Sequence, residues 1–497
     1  MMELVTQYIL TLLLLIPMTI GFHRLYFHPL RNHPGPRLWA VSRLPWLYST
    51  VKGTIIQDLK AFHEQYGPVV RVAPNELSYT IPAAAKPIYQ SNPEFPKDPM
   101  HLPPFHNGTP GILAANHQNH RRYRRLLSGA FSDRGMRAQQ NMIQHHVDLL
   151  VSQLKQAASQ DNNTTNNNNN SVDMCQWYNW TTFDIIGDLA FGESFGCLSN
   201  AATHEWIASI QGNVKAIPVI NAIRRLRLDW IIPLIAPRKL LAMRARNAKF
   251  TEDRVDARRG LGTATPRGDL WDGVMAGMSR DEMISNASAI VLAGSETSAT
   301  LLSGCTWLLL RNPEVLRRLT EHVRGSFGDE SEIDLISVGK LDYMLAVLDE
   351  ALRLYPPVPM QSNRVVTGKG GGSIAGGWVP EGTSVALQLY AACRSSSNFH
   401  RPNEFLPERW LGGKDGGAFA DDRREVSQPF SIGPRNCIGR QLAYAEMRLI
   451  LAKILWHFDL ELDCAKMQDR DWMGGQGVWI LWDKPPLWVT VRPRPRS

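Results

Sequence analysis

The chain opens on a predominantly apolar run, residues 4–22, LVTQYILTLLLLIPMTIGF. Nineteen residues just suffice to cross a bilayer as a helix. Glu3 is the sole charge before the run, and His23, Arg24 and Arg31 follow it. The positive-inside rule then puts the N-terminus in the lumen and the remainder in the cytoplasm. No small-x-small cleavage site precedes the bulky Phe22, His23, Arg24, Leu25, Tyr26 stretch, which argues for a retained anchor over residues 1–23. Pro29, Pro34 and Pro36 predict a stiff extended hinge over 24–36 that cannot continue a helix. Ile55, Leu59, Phe62 and Tyr66 then fall on one face of a short amphipathic helix, stopped by Gly67-Pro68. Residues 69–73 and 76–80 read as paired strands around Pro74-Asn75.

Further along, helical periodicity recurs at 120–127, 177–190, 281–310 and 345–355. It recurs again from Ile438 through Leu442, Ala445, Leu449, Ala452 and Trp456. Strands punctuated by Gly370, Gly371, Gly372, Gly376 and Gly377 follow residue 358, and 478–482 alternates like a hairpin strand. Two polar stretches interrupt the pattern. Residues 100–117, rich in Pro, Gly, Asn and His, predict a long loop. Residues 161–170, DNNTTNNNNN, cannot bury enough apolar surface to order themselves and read as a surface loop.

Composition changes this picture little. On length alone, 497 residues suggest two or more domains. A hydrophobic content of 44% with 20% charged residues suits a globular enzyme. The net charge of +8 is modest, and no nucleic-acid recognition motif accompanies Arg121, Arg122, Arg124, Arg125 or Arg224, Arg225, Arg227. A docking face or membrane-facing surface explains those clusters better. Six scattered cysteines without a C-x-x-C pair give neither a disulfide framework nor a zinc site, and suit a reducing compartment.

The candidate chemistry lies in three places. Phe430-Ser431-Ile432-Gly433-Pro434-Arg435-Asn436-Cys437-Ile438-Gly439 reads as a loop that presents one cysteine where a helix begins. Exposed N–H groups and the positive dipole end favour a thiolate there. Gly433 and Gly439 permit tight backbone and close approach to a bulky ligand, Arg435 suits a carboxylate, and Phe430 can shield the sulfur. Ala293-Gly294-Ser295-Glu296-Thr297 sits at the centre of the 281–310 helix. Ala289, Ala293 and Thr297 share one face, leaving room beside it for something flat. A threonine there can also simply bond back to the i−4 carbonyl. Finally, Glu350 and Arg353 are spaced for an i,i+3 ion pair, worth only about 0.2–0.5 kcal/mol if exposed.

These motifs resemble the cytochrome P450 family of haem-thiolate monooxygenases: F-x-x-G-x-R-x-C-x-G at 430–439, A/G-G-x-D/E-T at 293–297 and E-x-x-R at 350–353. Pro407-Glu408-Arg409-Trp410 is similar to the family's P-E-R-F element. The resemblance implies a mainly α fold, one large helical domain over 37–497 with a small β-rich subdomain from the early strands and residues 358–390, behind a single transmembrane helix. It implies heme b with Cys437 as the axial thiolate, and Arg124, Arg364 and Arg435 on its propionates. His120, which replaces the family's tryptophan, joins them. It implies proton delivery by Thr297 and Glu296 during oxygen activation, small Ala293 beside the haem, and a structural triad of Glu350, Arg353 and Arg409. The implied partners are O2, an apolar small-molecule substrate, the endoplasmic-reticulum membrane and NADPH–cytochrome P450 reductase, since no flavin or dinucleotide fingerprint is visible here. Phe27-His28-Pro29-Leu30 and Val72-Ala73-Pro74-Asn75-Glu76-Leu77 resemble filamentous-fungal members, which suggests a terpenoid or polyketide-derived metabolite as substrate. Two other classes stay open: a thiolate-haem isomerase or dehydratase needing no reductase, and a haem-binding protein without turnover.

Overall fold

The computed structural model describes residues 2–99, 107–160, 171–235, 237–262, 268–272, 274–412, 417–468 and 470–494. The polar tract at 161–170, and 100–106 of the predicted long loop, lie outside the described residues.

One helix organises the rest. It runs Arg280–Arg311, close to the span its periodicity predicts, and starts on a capping box in which Ser279 and Glu282 satisfy each other's backbone N–H. It ends before Pro313, which cannot continue it. Its apolar faces pack on Met174–Phe191, and Gly294 faces Ile186 of that helix. A Cβ on Gly294 would lie 2.8 Å from Ile186 Cδ1, so close helix packing accounts for a glycine that costs about 1 kcal/mol of helix propensity. The helices Asp133–Gln160, Asp342–Leu354 and Arg440–His457 complete the main apolar core around it.

The β-rich part joins distant segments. Val69–Ala73 pairs antiparallel with Glu76–Tyr79, as their flanking Pro74-Asn75 predicts. Glu76–Tyr79 then pairs parallel with Ser384–Leu387, which pairs antiparallel with Arg364–Val365. A separate three-stranded antiparallel sheet is formed by Ser171–Asp173, Trp488–Pro493 and Phe458–Leu462.

Three expectations need correction. The helix after Cys437 begins at Arg440, so the cysteine belongs to the preceding turn and not to the helix's first residues. The 24–36 hinge is no free extended linker. Leu30 is fully buried, Arg71 donates to the Arg24 carbonyl (2.9 Å), and Arg24 donates to the Val41 carbonyl (2.7 Å). Residues 478–482 are not one strand but two short ones, Val478–Trp479 and Leu481–Trp482, reversing at Ile480 with φ 83°. The N-terminal helix Met2–Tyr26 forms with Pro17 inside it, and among the described residues no helix is long and apolar enough to cross a membrane. The side chains of residues 8–14, the centre of the apolar run, lie outside the described ones.

Candidate active site

The loop from Phe430 folds back on itself, with the Cys437 N–H donating to the Phe430 carbonyl at 2.8 Å. Ser431 and Gly433 both take positive φ, 57° and 80°, to make the reversal. Gly433 is irreplaceable on two counts: its left-handed backbone, and a Cβ position 2.1 Å from the Tyr89 carbonyl oxygen. Gly439 makes no such demand, since its Cβ would meet Phe131 at an ordinary 3.7 Å. Its N–H instead bonds to the Cys437 sulfur. The Phe430 ring lies beside Tyr444, centroids 5.2 Å apart.

Cys437 opens into a cavity of about 340 Å³, within the ~300–1,000 Å³ of ordinary ligand pockets. Its exposed surface faces that cavity and not bulk solvent, and burial pushes its thiol up, opposed by the Gly439 N–H and the charges of Arg124 and Arg440. The central helix supplies the facing wall: Ala289, Ala293, Gly294 and Thr297 line it together. Ile112, Ile186, Leu189, Ile290 and Met360 make the remainder largely apolar. Thr297 Oγ1 donates to the Ala293 carbonyl at 2.6 Å, so its own proton is engaged while its oxygen stays free to accept.

Glu296 is elsewhere. Successive helical residues point about 100° apart, and Glu296 turns into a second cavity of about 280 Å³, with a mixed lining, under the C-terminal hairpin. There Lys484 Nζ bonds to Glu296 Oε1 and to Thr300 Oγ1, each at 2.5 Å. The hairpin residues Trp479, Leu481 and Trp482 border this second cavity, not the one Cys437 faces.

At one edge of the Cys437 cavity gather Lys97, His120, Arg124, Arg364 and Arg435. Arg435 is paired with Glu94 and donates to the Ala115 carbonyl (2.7 Å). Arg124 spends its guanidinium on the Asn436 carbonyl and side-chain oxygen, both at 2.5 Å. Burial, then Arg435, Lys97 and Arg124, lowers His120 to about 4 and keeps it neutral. Burial, with Arg364 and Arg435, lowers Lys97 to about 7. Arg364 Nε and Nη1 and Ser362 Oγ are buried without a hydrogen-bond partner. Orphaned donors and crowded cations on a largely apolar cavity call for anionic oxygens from a bound group. The two carboxylates of a haem meet that need, and Cys437 meets the need of its iron. The residues present therefore fit the cofactor.

Lys97 and Ser362 escaped the sequence reading. Lys97 reaches the edge because it bridges to Arg364 across an isolated β-contact, a pairing 267 residues apart that no local pattern announces. Away from the cavity, Glu350 is fully buried among donors: Arg353 Nε and Nη2 (both 2.8 Å), Arg409 Nε (3.0 Å), Leu406 N–H (3.0 Å) and Trp410 Nε1 (2.9 Å).

A cysteine presented to a largely apolar cavity, with a cationic edge and a groove of small residues opposite, defines a haem-thiolate protein. Residues 33–485 match the family model for cytochrome P450, and the chain belongs to that family. It is 69% identical to averantin hydroxylase of Dothistroma septosporum, over 99% of this chain and 94% of the relative. It is 63% identical to averantin hydroxylase of Aspergillus parasiticus, over 98% and 97%. With cytochrome P450 monooxygenase stcF of Emericella nidulans the identity is 61%, over 97% and 99%. Among solved structures, a cytochrome P450DA heme domain superposes with TM-score 0.75 at 22% identity, covering 93% of this chain and 98% of that one. The protein is thus a P450 monooxygenase using haem with an axial cysteine thiolate.

Proposed function

We propose that this protein hydroxylates averantin, or a polyketide closely similar to it, with electrons from NADPH through a membrane-bound flavoprotein reductase. The observation that carries this is near-complete alignment, at 69% and 63% identity, with two averantin hydroxylases. The largely apolar cavity suits such a substrate. The haem supplies dioxygen reduction and oxygen insertion when bound. Cys437 would hold its iron, and Arg364, Lys97, Ser362 and His120 would hold its carboxylates. Ile186, Ile290 and Met360 exclude water and press an apolar substrate toward the Cys437 side. Thr297 Oγ1 accepts a hydrogen bond from water in the cavity and fixes where a proton arrives. Glu296, tied to Lys484, sets the charge of the second cavity behind that helix.

The same reading places residues 1–23 as a single anchor in the endoplasmic-reticulum membrane, 24–36 as the junction and 37–497 as the catalytic domain facing the cytosol. The apolar run and the basic residues after it support this. The test is incubation of purified protein with averantin, NADPH and a fungal P450 reductase. A product heavier by one oxygen, formed with NADPH consumption, is expected. Turnover without NADPH would support the isomerase class instead, and no turnover of averantin would overturn the substrate.

A further inference from the structure

Gln361 lies in sequence between Met360 of the apolar wall and Ser362 of the carboxylate edge, and all three line the Cys437 cavity. It is 7% exposed. Its Nε2 donates to the Gln428 carbonyl at 2.7 Å, and the same carbonyl accepts from the Ser431 N–H at 2.9 Å. The first bond fixes which way the amide faces, because a reversed amide would set its oxygen against the Gln428 oxygen. Oε1, the amide oxygen, is then buried with no hydrogen-bond partner. An acceptor shut away from water without a donor costs stability. A second methionine, like Met360 beside it, would fill the position without that cost.

The haem does not supply what Oε1 lacks. Its carboxylates accept hydrogen bonds, which suits Arg364 and the cations around it, and its ring offers no outward N–H. The protein's own donors at the cavity are engaged elsewhere: Lys97 on the Leu113 carbonyl, Arg435 on Glu94 and the Ala115 carbonyl, Arg124 on Asn436. Arg364 Nε and Nη1, themselves without a hydrogen-bond partner, do not reach Oε1. The missing donor therefore comes with whatever enters the cavity.

We propose that Gln361 Oε1 accepts a hydrogen bond from a hydroxyl group of the substrate, so that this cavity selects an otherwise apolar molecule carrying an O–H at that point. Gln428, whose carbonyl holds the amide, lies just ahead of the loop that presents Cys437, so the hydroxyl is oriented relative to the iron ligand. A buried acceptor also rejects a molecule lacking the donor more sharply than an apolar wall rejects one of the wrong size. The proposal rests on the reading that the Cys437 cavity takes a polyketide such as averantin.

The test is equilibrium dialysis of the haem-loaded protein, wild type and Gln361→Leu, against averantin and against its fully O-methylated ether. Wild type is expected to bind averantin on the order of tenfold more tightly than Gln361→Leu does, the scale of one hydrogen bond between neutral groups. The ether has no O–H to give and should bind the two proteins equally. Equal affinity of both proteins for averantin overturns the proposal. So does an equal loss for averantin and the ether, which would assign the amide to water or to packing. Should Gln361→Leu fail to load haem, Gln361→Asn, which draws the amide oxygen back by one methylene, takes its place with the same expectation. If wild type does not bind averantin, the substrate reading fails by itself, and 1-naphthol with 1-methoxynaphthalene then decides the acceptor. A loss confined to 1-naphthol in the variant supports it, and any other pattern overturns it.

Discussion

Replacing Glu350 by glutamine keeps its shape and removes its charge, at a site where the structure fixes the cost. Oε2 accepts from Arg353 Nε and Trp410 Nε1, and Oε1 accepts from Arg353 Nη2, Leu406 N–H and Arg409 Nε. An amide keeps one oxygen. Placed at Oε1 it preserves three bonds and sets an NH2 group against two donors. Each hydrogen bond to a charged group contributes about 1.5–3 kcal/mol, so Glu350→Gln should lose about 3–6 kcal/mol. That agrees with the ~3–5 kcal/mol for breaking a buried ion pair. Against a typical total of ~5–15 kcal/mol, the variant should fold poorly and hold little haem. Denaturant unfolding of the haem-loaded protein, with haem content measured on the same samples, checks this. pH adds a second signature. Burial alone would raise the Glu350 carboxyl, but Arg353, Arg409 and the Leu406 N–H hold it below its ordinary 4.5. Its contribution is therefore complete above the unfolded value and is lost as pH falls through the lower folded value. Glu350→Gln should lack that acid-sensitive component. A variant within about 1 kcal/mol of wild type, fully loaded with haem, would refute the reasoning, because surface changes alone stay within about 0.5 kcal/mol.

Cys437→Ser should lose the strongly red-shifted Soret band of the reduced, carbon-monoxide-bound protein; retention of the band would remove Cys437 as the iron ligand. Thr297→Ala should keep haem and substrate binding but give less product and more hydrogen peroxide per NADPH, and unchanged coupling with the native substrate would deny it a role in placing the proton. Lys97→Met should weaken haem retention measurably in transfer to apomyoglobin, since it removes one of the cations at the carboxylate edge; the rate of transfer reads this without turnover. Gly433→Ala should abolish haem loading, because its Cβ would lie 2.1 Å from the Tyr89 carbonyl on a backbone with φ 80°, and a haem-replete alanine variant would contradict that geometry.

Much of this protein is legible in its sequence because the relevant signals are local. Helical periodicity gives the central helix within a residue at each end, and Pro74-Asn75 marks the strand reversal. The ten residues from Phe430 to Gly439 specify the cysteine loop, since its reversal needs the backbone freedom of Gly433 and one N–H bond across the turn. Glu350 and Arg353 are likewise one helical turn apart.

What sequence left open depends on partners far along the chain. Glu296 reads as a neighbour of Thr297 in function, yet helix geometry points it elsewhere and Lys484, 188 residues later, holds it there. Arg435 looks ready for a ligand's carboxylate, but folding brings it Glu94, 341 residues earlier. Lys97 and Ser362 become site residues only when residues 97 and 364 bridge beside the cavity. Periodicity states that a helix has a buried side; only tertiary packing decides which charges that side must accommodate and what they pair with. Backbone conformation is set by near neighbours, whereas burial and charge pairing are set by whatever the fold brings into contact.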